Sequence, residues 1–344
     1  MRMLITGGAG FIGSAFARYW VERHPSDTVV VYDVMTYAAT MGSLEGVLDQ
    51  IAFVKADICD LDAAVLAIET NEIDTIVHFA AESHNSLAVL DPARFFSTNV
   101  MGTQTMLEAA RRSGVSRFHH ISTCEVYGDL DLDTDESFNE SSPYRPRTPY
   151  NASKAGADHA VRAYSETYEL PITITNCANN YGPYQFPEKV IPLFSTRALA
   201  DQPLPLYAST QNRREWLHVD DHCRAIEAVL LRGRIGETYH VGSGVEASIE
   251  QIADAVLAAT GKPASLKTIV PDRQATTGAT SSTSPRSVPS SDGSRRSPSS
   301  RASERPSNGT ETTRTGGHHC SSVLRWSSPP GATPSPRPSV LCES

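Results

Sequence analysis

Met3-Leu4-Ile5-Thr6 is a short apolar run that ends directly in Gly7-Gly8-Ala9-Gly10-Phe11-Ile12-Gly13, and Ser14 to Glu22 then has the spacing of an amphipathic helix. Few folds accept strand, glycine turn and helix in so little chain. Gly7 permits the tight turn, Gly10 lets backbone approach a pyrophosphate, and Gly13 allows the helix to pack on the strand, with the helix N-terminus toward the anion. A second apolar run, Val29-Val30-Val31-Tyr32, ends at Asp33, twenty residues past Gly13, where a carboxylate can accept ribose hydroxyls. Its charge would repel a 2'-phosphate, so the pattern predicts NAD rather than NADP.

The alternation continues with Ile51-Ala52-Phe53-Val54 before Asp57, a helix near Leu61 to Ile68, and the run Thr75-Ile76-Val77-His78-Phe79. This predicts an α/β fold, a Rossmann-type doubly wound parallel sheet with helices on both faces. The strand ends at Asp57-Ile58 and Ala80-Ala81 fall on the carboxyl edge, where open sheets bind ligands, and are candidate walls for adenine and nicotinamide. Asn99 to Arg112 reads as a further helix. Phe118-His119-His120-Ile121 reads as a strand delivering Ser122, Thr123, Cys124 and Glu125 to the same edge. His119 and His120 are read as sheet residues, since no carboxylate or cysteine stands at a ligand spacing beside them.

Pro149 opens a helix predicted from Tyr150 to Tyr168. Tyr150 and Lys154 share one face at i and i+4, so the ammonium is expected to favour the phenolate and make Tyr150 a base. Beyond it, a strand at Ile172 to Thr175 and the polar segment Asn179-Asn180-Tyr181-Gly182-Pro183-Tyr184 lead into shorter elements. These are a helix near Val190 to Ala200, a strand near Leu206, the run Arg213 to Trp216, a helix Asp220 to Leu231, a strand Thr238 to Val241, and a helix capped by Ser248. The expected organisation is a dinucleotide-binding domain over 1–182, completed by 220–246, with a smaller interleaved α/β substrate lobe at 183–219 and 247–273.

Composition limits the rest. The 344 residues carry a net charge of −9, which argues against a nucleic-acid surface. Six scattered cysteines without a CxxC pair suggest neither a disulfide framework nor a zinc site, so no metal is expected. With no signal-peptide pattern and no apolar run of membrane length, a cytoplasmic protein is expected. From Gln274 to Ser344 the chain is rich in Ser, Pro, Thr, Arg and Gly, has no lysine, and has Trp326 as its one Phe, Tyr or Trp. Such a tail, 274–344, is expected to be disordered.

At Gly7 to Gly13, Thr123-Cys124-Glu125-Val126-Tyr127-Gly128, Tyr150 to Lys154 and Asn179 to Lys189, the chain resembles the extended short-chain dehydrogenase/reductases. Within them the last two motifs resemble the dTDP-glucose 4,6-dehydratases, from Met1 to about Arg273. The resemblance implies an NAD-dependent hydro-lyase acting on a nucleotide-diphosphate sugar, as a homodimer joined through the helices near Asn99 to Arg112 and Tyr150 to Tyr168. It assigns Thr123, Tyr150 and Lys154 to hydride transfer and Glu125 to removal of the proton at sugar carbon 5. Cofactor contacts fall on Gly7, Gly10, Phe11, Ile12, Gly13, Asp33, Asp57, Ile58, Ala80 and Ala81. Substrate contacts fall on Ser83, Thr123, Asn179, Lys189, Arg214 and Arg273.

Three departures stand against that pattern. Cys124 replaces the aspartate that protonates the hydroxyl leaving carbon 6. Asn85-Ser86-Leu87-Ala88 replaces Val-Asp-Arg-Ser on the sugar side. After Arg273 the segment beginning Pro-Gly-His-Asp-Arg-Arg-Tyr is missing, yet Gln274 to Ser299 read one base out of frame resembles it, which points to a single-base frameshift near Arg273. Related decarboxylases, 4-epimerases and 5,6-dehydratases, or a truncated inactive NAD-binding protein, are the alternative readings.

Overall fold

The computed structural model describes residues 1–131 and 136–271; Arg273 and the 274–344 segment with its expected disorder and frameshift lie outside them. Seven strands form the main sheet: β1 (Arg2–Thr6), β2 (Thr28–Asp33), β3 (Ile51–Lys55), β4 (Thr75–His78), β5 (Arg117–Thr123), β6 (Ile172–Cys177) and β10 (Thr238–Val241). Their order is β10-β6-β5-β4-β1-β2-β3, and every pairing is parallel. The sheet reverses direction of growth at β1 and β4, so the crevice beyond their carboxyl ends is where such a sheet receives a ligand.

Alternating side chains divide between two faces, which is why both must be covered. Leu4, Val30, Ile76, Phe118 and Ile172 pack with Ala64, Ile68, Met106, Leu107 and Val161. Those partners lie on the helices α2 (Leu61–Thr70), α5 (Thr103–Arg112) and α6 (Pro149–Tyr168). Met3, Ile5, Val29, Val31 and Val77 face the other way, onto Phe16 and Trp20 of α1 (Phe11–Arg23) and Ile226 and Leu230 of α8 (Val219–Arg232).

Helix α1 therefore begins at Phe11, inside the glycine motif, three residues before the start expected from periodicity. The helix expected from Asn99 is also longer and less regular. The chain runs through α3 (Asn85–Leu90) and α4 (Pro92–Phe96), then a wider π-helical turn over Ser97–Gly102, and only then α5. Buried Asn99 sits in that turn, its amide engaging both backbone groups of Glu82 at 2.8 and 3.0 Å and the Ser153 hydroxyl at 2.8 Å. Polar pairing of this kind is not visible to hydrophobic spacing.

Smaller sheets flank the main one. β7 (Asn179–Tyr181) pairs with β9 (Arg213–His218), which pairs with β11 (Glu246–Ser248), while β8 (Leu204–Tyr207) pairs with β12 (Lys267–Val270). Phe194 and Ala198 of α7 (Val190–Leu199), Leu204 and Leu206, and Ala253, Val256 and Leu257 of α9 (Ile249–Thr260) make a separate apolar cluster. Ser248 caps α9 as its spacing predicts, in a reciprocal arrangement with Gln251. His119 is likewise a sheet residue, bonded to Thr173 at 2.8 Å and Thr175 at 3.3 Å within the buried strands. Among the described residues no group of side chains could hold a metal ion, and no helix is long and apolar enough to cross a membrane.

Candidate active site

The glycine loop leaves β1 in a shape that side chains would obstruct. Gly7 has φ +66°, and a Cβ there would lie 2.7 Å from the Ala80 backbone at the end of β4. A Cβ on Gly13 would lie 2.3 Å from the Gly7 carbonyl oxygen. The close approach Gly13 permits is thus of α1 to the loop itself rather than to the strand body. Gly10 stands before α1 with no side-chain cap, which leaves the first-turn N–H groups of Phe11, Ile12 and Gly13 without a capping side chain.

Asp33, 7% exposed at the end of β2, accepts from the Ala9 amide at 3.0 Å and from the Met35 amide at 2.8 Å. It holds the loop as well as presenting charge beside it. Asp57 accepts from the Cys59 amide, Ile58 is buried, and the Ala80 amide donates to Thr6 Oγ1 at 3.3 Å, with Ala81 following on the same edge. An uncapped helix N-terminus, a loop closed to a Cβ at Gly7 and Gly13, and a carboxylate at the next strand end fit a dinucleotide.

β5 and α6 build the second half. Thr123 ends β5 and its Oγ1 accepts from the Glu125 amide at 3.2 Å, starting a short 3-10 turn over Cys124–Tyr127. The Thr148 hydroxyl caps α6, so Tyr150 stands in the first turn, hydrogen-bonded to Thr123. Glu125 Oε2 accepts from the Asn85 amide at 3.4 Å, and the Asn85 carbonyl accepts from Thr148 Oγ1 at 3.3 Å. Asn85, one of the departures noted above, thus links Glu125 to the cap of the helix that carries Tyr150. Cys124 is 2% exposed, among Val126, Tyr127, Phe138 and Ala155, and close enough to act electrostatically on Tyr150.

The net shift of Tyr150 is upward rather than toward the phenolate expected from Lys154. Burial pushes the phenol well above its ordinary range, Glu125, Cys177 and Cys124 push it further, and the Thr123 hydrogen bond opposes them. Lys154, 4% exposed, instead donates to the Ile121 carbonyl at 2.8 Å, and burial lowers its own pKa. Helical spacing puts the two residues on one face but does not say which way a four-carbon stem will turn.

Of the residues expected on the substrate side, Lys189 precedes α7 and its Nζ donates to the Ser83 carbonyl at 2.8 Å, which brings these two together. Arg214, on β9, acts on Asp129 just past the Cys124–Tyr127 turn, where burial raises the carboxyl and Arg214 with Arg147 opposes it. Asn179 lies on β7, alongside Trp216 of β9. The segment between is fastened to the glycine-loop side: Tyr37 donates to Glu188 at 3.2 Å, Phe186 meets the Tyr37 ring edge-on, and Arg18 lies 4.5 Å from the Tyr184 ring centre. Sequence reasoning missed Asn85 and Asp158. For Asp158 a signal existed, since it continues the Tyr150, Lys154 spacing by four more residues.

A doubly wound sheet with this loop, and a tyrosine and lysine at the neighbouring edge, defines a dinucleotide-binding protein of the short-chain dehydrogenase/reductase class. The chain belongs to the GDP-mannose 4,6-dehydratase family, whose model matches residues 4–297. It is 52% identical over 243 residues to the dTDP-glucose 4,6-dehydratase of Mycobacterium tuberculosis, covering 71% of this chain and 72% of that one. Among solved structures, the dTDP-glucose 4,6-dehydratase of Streptomyces venezuelae, with NAD and TYD bound, superposes with a TM-score of 0.79 at 46% identity, covering 82% of this chain and 88% of that one. The UDP-glucose 4-epimerase of Thermus thermophilus, in complex with NAD, superposes with a TM-score of 0.77 at 29% identity, covering 84% and 92%.

Proposed function

We propose that this protein dehydrates dTDP-glucose to dTDP-4-keto-6-deoxyglucose. The observation that carries the reading is the closeness of Thr123 and Glu125, at the end of β5, to Tyr150 in the first turn of α6. NAD, when bound, takes up hydride from sugar carbon 4 and gives it back at carbon 6. Gly7, Gly10, Phe11, Ile12 and Gly13 would cradle its pyrophosphate, Asp33 the adenosine ribose, Asp57 and Ile58 the adenine, and Ala80 and Ala81 the nicotinamide side. Lys154 holds the nicotinamide ribose.

With the positive charges of Lys154 and of bound NAD offsetting the burial that holds its phenol protonated, Tyr150 takes the proton of the carbon 4 hydroxyl while Thr123 hydrogen-bonds the same oxygen. The ketone so formed acidifies carbon 5. Glu125 removes that proton, Cys124 or the newly protonated Glu125 supplies one to the hydroxyl departing from carbon 6 as water, and a proton matching the one Tyr150 took up returns to carbon 5 as carbon 6 is reduced. Ser83, Asn179, Lys189 and Arg214 bind the nucleotide diphosphate and sugar, and residues 183–219 and 247–271 act as the substrate lobe. We further propose a cytoplasmic homodimer, joined through α5 and α6.

The test is Tyr150→Phe with dTDP-glucose as substrate. Loss of the acid–base group is expected to lower kcat by about 10²- to 10⁴-fold while NAD is still bound. Full activity in that variant would sink the reading. Cys124 in place of an acid favours one second reading, an enzyme that shares the oxidation at carbon 4 but diverges afterwards. Identification of the product separates the two.

A further inference from the structure

Lys154 belongs to a buried polar cluster whose other members, His120 and Asp158, have no part in the chemistry above. Asp158 follows it by four residues on α6, and His120 faces both from β5. His120 Nε2 lies 3.4 Å from Lys154 Nζ and 3.3 Å from Asp158 Oδ1, and both His120 and Asp158 are 0% exposed. The other carboxylate oxygen of Asp158 accepts from the Tyr144 hydroxyl at 2.7 Å. That hydroxyl accepts in turn from Arg162 Nη2 at 2.8 Å and Asn176 Nδ2 at 3.2 Å.

An ammonium withdrawn from water sheds its proton unless a nearby negative charge holds it. The direct partners of Lys154 are a backbone carbonyl and an imidazole. The groups facing it from all sides are His120, with His78 stacked 5.5 Å behind, Cys177 from β6, Tyr150 and Asp158 on its own helix, and Arg162 one turn further. Burial pushes His120 down to about 4 and Cys177 up to about 12, so both are neutral near pH 7. Burial pulls the Asp158 carboxyl upward, but His120, Lys154 and Ser122 outweigh it and hold it below the ordinary carboxylate range. Asp158 is the carboxylate that acts on Lys154.

We propose that Asp158 is a positioning residue for Lys154, its buried carboxylate keeping the ammonium charged and set against β5 through His120. The inference rests on the reading that Lys154 grips the nicotinamide ribose. The experiment is calorimetric titration of NAD across pH into the wild type, Asp158→Asn and Asp158→Glu.

Asp158→Asn is expected to match the wild type near about pH 6 and to bind NAD at least about tenfold more weakly near about pH 9, because Lys154 then loses its proton earlier. Asp158→Glu, which keeps the charge, should restore the wild-type profile. No weakening in Asp158→Asn, or equal weakening at every pH, would overturn the proposal.

Should Asp158→Asn not fold, Asp158→Ser, which removes the charge without adding an amide, tests the same point. Its NAD binding should fall off at a lower alkaline pH than in the wild type, and an unmoved alkaline limb overturns the idea. A wild type that binds no NAD at any pH defeats the reading of the site itself, and the proposal with it.

Discussion

Cys124 stands where the resemblance to the dTDP-glucose 4,6-dehydratases implies an acid, yet its thiol lies almost wholly out of water beside Tyr150. A carboxyl placed there would be raised by burial and by neighbouring Glu125, and would thus hold its proton at neutral pH. Cys124→Asp is therefore expected to speed loss of water from carbon 6 by about 10²-fold or more, leaving oxidation at carbon 4 unchanged. Deuterium loss from carbon 5, followed separately from release of the 4-keto-6-deoxy product, distinguishes the steps. Unchanged rates for both would show that the thiol is a small packing residue. At this scale the sequence was a partial guide: it singled out Thr123, Glu125, Tyr150 and Lys154, but the direction of the Lys154 stem depends on a carbonyl 33 positions away. Asn85 was noticed only as a departure, because its contact with Glu125 closes 40 positions along the chain.

The glycine loop shows what an element adds. Gly7, Gly10 and Gly13, three of its four glycines, were legible because each meets backbone that a Cβ would strike or nearly strike. The brace supplied by Asp33 was not, since a carboxylate at a strand end reads as a ribose ligand whether or not it also binds the Ala9 and Met35 amides. Asp33→Ala removes both bonds and the charge. The expected result is NAD binding weakened at least about tenfold, with the far-UV signature of the sheet intact and the preference for NAD over NADP narrowed. Retention of wild-type NAD affinity would contradict it. Helix boundaries failed where polar side chains intervene: the π-helical turn at Ser97–Gly102 is organised around Asn99, and spacing of apolar residues carries no trace of it.

For the whole molecule, alternating strand and helix patterns were enough to predict a parallel sheet, while its strand order and the partners of the short strands from Asn179 onward needed the structure. Met101, 57% exposed, and Tyr168, 52% exposed, lie at the ends of the two helices proposed as an interface. A stable interface of this kind buries on the order of 1,200–2,000 Å². The protein should sediment at about twice its 37.2 kDa chain mass, and Met101→Glu should shift it toward the monomer; a wild-type monomer would refute the arrangement. The outermost strand of the main sheet has a consequence for synthesis. β6, finished at Cys177, keeps an open edge until Thr238–Val241 arrive, so a nascent chain shorter than this exposes unpaired backbone to its neighbours. The last described pairing, of β12 with β8, is complete at Val270. A change in reading frame upstream of Thr238 would strip β6 of its partner, whereas one beyond Val270 leaves each of the twelve described strands encoded together with the strand it pairs with.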